Sequence, residues 1–417
     1  MGGKALRRAG WRCCSEVVVI LFLQQTPERQ PGSPAERSGR GPMSSLSGRT
    51  LYKFRVVAGN MRAFGQESIS ALAGEVLSST GEIEALKPEI RSSRFRGDLM
   101  FDPSFYLASL TEGWEPRVAV VRRGGELAGV VYAKERFLSG HRLGIVYADW
   151  TFGSVLIGDP ADYPETVLFA LTDLLSRPGI RGLRLRVRRR SPELAAVRKL
   201  LALTRLDAYF SRFQDHAVLS LPETYERMLR SFGSTTRRNF RYYRRRCEAA
   251  GCVYVDSVPI DELRSAAGYL ERKCSKPCQP GSVDRSINMA ALADRPLAAG
   301  LRHRNGEWWS ILCGIYRPAA GVLLLQLNND RDFPDYSLSS VLRGYLIETL
   351  IEQGMKEFII WAGTGAPLSR YVTYIPTVAI HLDSPAYWWR LLRKSASLIG
   401  PWLPKEIRPD ARWVAPF

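Results

Sequence analysis

Asp330, Asp332 and Asp335 follow the short apolar run Gly321 to Leu327, and Ser339, Ser340 and Arg343 open the amphipathic segment after it. The run ends in Asn328, Asn329 and Asp330, as a buried strand does when it breaks into a polar loop. Leu338, Val341, Leu342, Tyr345, Leu346 and Leu350 then recur at helical spacing, with Arg343, Glu348 and Glu352 on the other side, and Gly354 supplies the stop. A strand that feeds a helix N-terminus through a loop exposes unpaired backbone N–H groups, where a phosphate can bind. That geometry suits a coenzyme A or nucleotide-linked donor, with Leu338, Ser339, Ser340 and Arg343 as its expected contacts.

A second constellation lies at residues 221–251, LPETYERMLRSFGSTTRRNFRYYRRRCEAAG. Pro222 can open one helix, and Ser234 or Thr235 can cap a second that ends at Gly251. Arg237, Arg238, Arg241, Arg244, Arg245 and Arg246 crowd the second, with Phe240, Tyr242 and Tyr243 interleaved. Either the helix is a solvated strut that docks its aromatics, or its guanidinium groups grip phosphates in bidentate fashion. In the second case Arg237, Arg238, Arg241 and Arg245 are the polyanion contacts. A further basic run, RGLRLRVRRR at residues 181–190, alternates Arg with Leu and Val. It reads as a strand with one buried face and its arginines turned to solvent or a groove.

Other chemistry finds less support. Cys247, Cys252, Cys274 and Cys278 depart from the spacing of zinc knuckles. The four histidines, His141, His216, His303 and His381, are isolated. No Walker A loop or dinucleotide fingerprint occurs. Trp308-Trp309 and Trp388-Trp389 fit a core or an interface. No metal is expected.

The elements that must position these residues come from a chain of 417 residues, 45% hydrophobic, enough for two cores. Its net charge of +18, from 59 Lys and Arg against 41 Asp and Glu, favours polyanionic partners unless it is plain compositional bias. Seven scattered cysteines argue against a disulfide framework and for a cytoplasmic location. Lys4, Arg7, Arg8 and Arg12 precede the apolar run Val17 to Leu23, which is too short to span a bilayer. Residues 1–50 therefore read as a disordered upstream extension, with Met43 or Met61 as the start.

Two similar halves follow. In the first, Arg117 to Val121 and Leu127 to Ala133 pair around Gly124-Gly125, with a third strand at Leu143 to Ala148. A helix at Tyr163 to Leu175, a strand at Gly182 to Val187, a helix at Pro192 to Leu203 and a closing strand at Ala217 to Leu221 complete it. In the second, Ala298 to Arg304 and Glu307 to Tyr316 pair around Asn305-Gly306, followed by a strand at Val322 to Leu327 and the helix Leu338 to Glu352. Glu357 to Trp361, a short helix near Pro367 to Tyr374, and Thr377 to Leu382 close that half. Two copies of one β-β-β-α-β-α-β order predict two related α/β domains.

The Arg-rich helix Ser231 to Gly251, the helix start Tyr336, Ser337, Ser339, Ser340 and Leu342, and the strand exit Phe358 to Gly365 with Ser369-Arg370-Tyr371 resemble the tandem-GNAT proteins of the FemAB-like and BioF2-like acyltransferase group. The resemblance spans Phe101 to Leu392 and is best in the second half. Trp361 and Ala362 replace the pair common there, and Arg370 stands where Lys is common. It implies an α/β fold of mixed sheets, with two GNAT-like acyl-CoA N-acyltransferase domains at 90–221 and 252–400. An Arg-rich connector at 222–251 joins them, and a tail follows at 401–417.

The resemblance further implies acyl transfer to an amine, from acetyl-CoA first and with aminoacyl-tRNA and acyl carrier protein still open. The acceptor would be a small molecule or glycan amine, such as an amino sugar or a cell-envelope precursor. Sites of this kind work by positioning and by backbone stabilisation of the oxyanion. A carboxylate takes the ammonium proton and a tyrosine reprotonates the leaving thiolate. Asp332, between strand end and helix start, is the first choice of base among Asp330, Asp332 and Asp335, and Tyr371 and Tyr374 are the acids. The rival function is non-catalytic polyanion binding on the same scaffold.

Overall fold

Gly124 and Gly125 both take positive φ, 57° and 91°, so the chain reverses within two residues and its flanking runs pair antiparallel. The computed structural model describes residues 72–92, 99–138, 141–149, 163–177, 179–203, 207–212, 216–275, 278–361 and 363–383. The expected extension at 1–50, the tail, Ala362 and Trp388-Trp389 lie outside them.

The first half runs β1 (Leu72–Leu77), α1 (Thr80–Glu84), α2 (Lys87–Ser92), α3 (Pro103–Ala108), β2 (Trp114–Arg123), β3 (Glu126–Leu138), β4 (His141–Asp149), α4 (Tyr163–Ser176), β5 (Gly182–Arg188), α5 (Pro192–Leu203), β6 (Asp207–Arg212) and β7 (His216–Ser220). The second runs α6 (Tyr225–Ser231), α7 (Ser234–Ala249), β8 (Cys252–Val255), α8 (Ile260–Lys273), α9 (Ser282–Ala291), β9 (Pro296–His303), β10 (Trp308–Arg317), β11 (Ala320–Asn328), α10 (Leu338–Glu352), β12 (Glu357–Ile360), β13 (Thr373–Ile375) and β14 (Thr377–Asp383).

Two mixed seven-stranded sheets result, ordered β1-β2-β3-β4-β5-β14-β6 and β13-β7-β12-β11-β10-β9-β8. The closing strands are therefore exchanged between the halves. β14 lies antiparallel between β5 and β6, and β7 lies antiparallel between β12 and β13. Alternation in a sequence fixes which face a strand buries, not which neighbour it pairs with.

The first sheet buries Val121, Val131, Val146 and Leu185 beneath Leu171 of α4 and Val197 of α5. Its other face is partly covered by α1, α2 and α3 through Ile83, Ile90 and Tyr106. In the second sheet, α6, α7 and α10 cover one face, with Phe240, Leu342 and Phe358 in the core, and α8 and α9 cover the other. Phe105 of α3 and Met289 of α9 pack with Val322 and Ile359, which seals the two halves together. A side chain at Gly344 would put its Cβ 3.1 Å from the Phe240 ring, so the glycine lets α7 and α10 cross closely.

Local differences have local causes. Thr224, not Pro222, caps α6, its hydroxyl accepting from the Arg227 N–H. α7 starts without a side-chain cap, because its N-cap is Gly233 and the expected caps Ser234 and Thr235 lie within the helix; the Gly233 N–H is held by the Tyr371 hydroxyl at 2.9 Å. The expected helix near Pro367 to Tyr374 is one 3₁₀ turn, Leu368–Arg370, followed by β13.

Candidate active site

β11 and β12 run parallel only from Ala320↔Glu357 to Leu323↔Ile360. β12 then ends, Gly363 turns the chain at φ 82°, and β11 continues to Asn328 without a partner on that side. A cleft of about 210 Å³ opens where the strands part, between the first turn of α10, Asp330 and residues 365–368. Leu338, Ser339, Ser340 and Arg343, the four residues expected to contact the donor, all line it.

The first turn of α10 is shaped for an acceptor-rich ligand. Ser337 holds a left-handed conformation, φ 51°, and its carbonyl takes the N–H groups of Ser340 and Val341. Its hydroxyl bonds that of Ser340 at 3.2 Å. The N–H groups of Leu338 and Ser339 have no acceptor among the described residues, as the first turn of a helix leaves them.

Arg343 spans the divergence. Its Nε donates to Gln326 Oε1 on β11 at 2.7 Å, and its Nη1 donates to Thr364 Oγ1 beyond β12 at 2.8 Å. No carboxylate pairs with it among the described residues, and burial pushes the guanidinium down to about 10. A half-buried cation held only by neutral groups is a ready partner for an anion.

The three loop aspartates separate. Asp330 lines the cleft and accepts from Ser275 Oγ at 3.1 Å. Asp332 does not line it: its Oδ2 pairs with Lys273 Nζ at 2.8 Å and also accepts from Asn329 Nδ2. The bond to Lys273, with that to Asn329, holds its carboxyl below the usual range, which weakens it as a base. Asp335 is exposed, and its carbonyl accepts from Arg246 at 3.1 Å.

Neither tyrosine lines the cleft. The Tyr371 hydroxyl is held by Thr236 Oγ1 and the Gly233 N–H, and these bonds lower its pKa. Tyr374 donates to the Thr364 carbonyl at 3.2 Å, so it abuts the residue that anchors Arg343.

On α7 the arginines divide. Arg241 pairs with Glu226 of α6 at 3.0 Å, and Arg244 is clamped by Glu348 at 2.6 Å and stacked on Tyr345. Arg246 stacks on Tyr336 and thereby ties the helix to the lip of the cleft. Arg237, Arg238 and Arg245 have no carboxylate partner among the described residues, and Tyr242 beside them is 54% exposed. The cysteines fall into separate places: Cys247 and Cys252 are buried under α7, and Cys274 and Cys278 lie at the end of α8. Among the described residues no group of three or more His, Cys, Asp or Glu side chains is placed to hold a metal ion.

Gln326 and Thr364, which hold Arg343, were not legible as site residues. Their only sequence signal is position, one at the strand end and one just past β12.

No family model and no curated protein matches the sequence. Among solved structures the chain is similar to FemX, with a TM-score of 0.49 and 12% identity over 73% of this chain and 96% of that one. It is also similar to L-PGS from Bacillus licheniformis, with a TM-score of 0.43 and 14% identity over 65% and 86% of the two chains. A tandem GNAT protein from the clavulanic acid biosynthesis pathway gives a TM-score of 0.42 and 13% identity over 76% and 99%. Among the described residues no helix is long and apolar enough to cross a membrane.

Proposed function

We propose that the chain is an N-acyltransferase whose site is the cleft between β11, β12 and α10, with a CoA-type donor and an amine acceptor. The observation that carries this is Arg343: a guanidinium without a carboxylate, fixed across parted strands, beside the free N–H groups of a helix start. The residues present fit a diphosphate-bearing donor, which supplies an activated thioester carbonyl. Arg343, Ser339, Ser340 and the amides of Leu338 and Ser339 hold its phosphates. Asp330, the aspartate that lines the cleft, accepts the proton of the acceptor ammonium on a carboxylate oxygen. It replaces Asp332, which is committed to Lys273. Tyr374 braces Thr364, and Tyr371 fixes the start of α7 against the loop.

A second reading keeps the cleft and changes the donor to an aminoacyl-tRNA. The exposed arginines of α7, tied to the lip by Arg246, favour it. Thermal unfolding with acetyl-CoA, longer acyl-CoAs and deacylated tRNA separates the two. Free ligand at about a hundred times its dissociation constant stabilises the fold by about 2.7 kcal/mol. Stabilisation by acetyl-CoA supports the first reading, stabilisation by tRNA alone the second, and a flat response to all three overturns both.

A further inference from the structure

Past the point where β12 leaves it, β11 carries two side-chain amides, Gln326 and Asn328, whose orientation their partners dictate. Gln326 Oε1 accepts from Arg343 Nε at 2.7 Å, and its Nε2 donates to the Ser339 carbonyl at 3.3 Å. A guanidinium only donates and a carbonyl only accepts, so Gln326 has a single workable orientation. Its other N–H goes to Asn328 Oδ1 at 3.2 Å, where the fully buried Ser310 hydroxyl of β10 also donates, at 2.7 Å. A ladder thus runs from β10 to the cleft: Ser310, Asn328, Gln326, Arg343.

The cleft end of that ladder is held by neutral groups alone. Arg343 Nη1 donates to Thr364 Oγ1 at 2.8 Å, and Nη2 has no acceptor among the described residues. Other partly buried guanidinium groups meet carboxylates. Arg244 meets Glu348, on the same helix as Arg343, at 2.6 Å, and Arg117 meets the fully buried Glu135 at 2.9 Å. A glutamate at 326 would have the length of glutamine and would bond Arg343 with full charge, which suits the fold better than an amide does. The same carboxylate would occupy the guanidinium and repel a phosphate. Neutrality at 326 therefore favours a ligand over the isolated fold.

We propose that Gln326 is a positioning residue: its amide, braced on β10 through Asn328 and Ser310, aims Arg343 into the cleft, and its neutrality leaves Nη2 to a phosphate. This role presupposes the cleft as a donor site and divides the work within it. Arg343 meets the phosphate, while Gln326, which need touch no ligand, sets the place and the net charge at which it does so. Ser339 is drawn in as well, since its carbonyl holds the Gln326 amide at the start of α10. Asn328 and Ser310 act at one and two removes, so their loss should matter less.

Two isosteric exchanges on one strand test this, Gln326→Glu and Asn328→Asp, by titration calorimetry of the full chain with inorganic pyrophosphate and with acetyl-CoA. Each adds one negative charge, but only the first places it on Arg343. In the second both internal bonds survive, because Gln326 Nε2 and Ser310 Oγ donate to an amide oxygen or a carboxylate alike. The expected result is a loss of affinity for both probes at least about tenfold greater in Gln326→Glu than in Asn328→Asp, with the melting temperature of Gln326→Glu held or raised by its new ion pair. Gln326→Met, which keeps the volume and lets the guanidinium go, should weaken both probes by at least about threefold and serves if the carboxylate disturbs folding. Equal losses in the two carboxylate variants would reduce the effect to net charge and overturn the role. Parallel falls in affinity and melting temperature at 326 would make Gln326 a packing residue, which equally overturns it. Unchanged affinity in both Gln326 variants would overturn the role and leave the donor cleft standing, whereas a wild type that binds neither probe would remove the cleft as a donor site and this role with it.

Discussion

Each sheet contains a parallel strand pair linked through one helix, β4 to β5 through α4 and β11 to β12 through α10, and the two pairs are used differently. β4 and β5 stay in register from Ile145↔Gly182 to Asp149↔Arg186, close to the end of β5. β11 and β12 part after Leu323↔Ile360 because β12 is only four residues long against the seven of β5. The parted pair leaves a cleft beyond its strand ends, lined by Asp330, the first turn of α10 and residues 365–368, and the closed pair carries Arg184 and Arg186 of β5 opposite Tyr147 and Asp149 of β4. Strand length, not element order, decides whether a parallel pair stays closed towards its end.

Asp330 tests the parted pair most severely. Asp330→Asn should lower turnover by about 10²–10⁴-fold, the range for losing a general base, while acetyl-CoA binding persists. Asp332→Asn, which frees Lys273 outside the cleft, should change turnover by no more than a few-fold. Steady-state rates with an amine acceptor decide it, and the reverse ranking would return the base to Asp332.

Glu135, on β3 beside the closed pair, is the corresponding test of the first sheet. Its carboxylate joins Arg117 at 2.9 Å and Arg142 at 2.6 Å from a fully buried position. Glu135→Ala leaves the largely buried Arg117 with only Glu115 and the Pro116 carbonyl and takes one partner from Arg142, so unfolding stability should fall by about 3 kcal/mol, the lower end for a broken buried pair. Urea unfolding measures it. A loss below about 1 kcal/mol would mean that the pair behaves as a surface one.

Arg343 and Arg244 sharpen the same contrast within the second half. Arg343→Ala should weaken acetyl-CoA binding by about 1.5–3 kcal/mol, the value of a charge-assisted hydrogen bond. Arg244→Ala breaks its pair with Glu348 and should cost about 1 kcal/mol of stability with donor affinity unchanged. Calorimetry on both variants separates ligand-directed from fold-directed arginine, and equal donor affinities would erase the distinction.

Helix α10 was legible to the residue, Leu338 to Glu352, because its apolar positions repeat at helical spacing between a serine-rich start and Gly354. The strand before it was legible too, and Leu338, Ser339, Ser340 and Arg343, grouped by their place at the helix start, all line the cleft. What a sequence could not show was pairing over distance. The exchange of β7 and β14 and the hold of Gln326 and Thr364 on Arg343 join residues that no local pattern connects. Spacing alone favours Asp332 over Asp330, and the Lys273 ion pair that separates them comes from the end of α8, which no pattern around the loop reveals. β6 and β8, at six and four residues, are too short for alternation to stand out.

The exposed face of α7 and the recessed face of the first sheet should differ in salt response. Reversing Arg238 and Arg245 to Glu should flatten the salt dependence of tRNA binding by roughly one to two units of log–log slope, since each released phosphate contact counts for about 0.7–0.9. Arg241 is a poorer probe than spacing suggested, because Glu226 already holds it. An unchanged slope with a folded protein would make α7 a strut and remove tRNA as donor.

The smallest expected effect lies in the pH dependence of stability at Lys134. Facing it are Arg285 from α9, Arg186 from β5, Asp149 from β4 and Trp114 from β2. Tyr147 of β4, directly opposite Lys134, shares that face, so the lysine is read against a variant that lacks it. Its folded-state pKa is depressed to about 8. Below that value the ammonium is charged in both states, and the native state bears the full penalty of a desolvated charge. As pH rises through 8 the native lysine releases its proton while the unfolded one holds it until near 10.5. The unfolded state then binds more protons, and stability must rise across that window. Other lysines and tyrosines titrate in the same range, so the informative quantity is the difference between wild type and Lys134→Met. Wild type should be the less stable of the two at pH 7, and the gap should narrow steadily as pH rises from 8 towards 10. Thermal melts at half-unit pH steps would show it. A gap that stays constant would mean that Lys134 finds its counter-charge within the chain, and the first sheet would then be as fully paired at Lys134 as it is at Glu135.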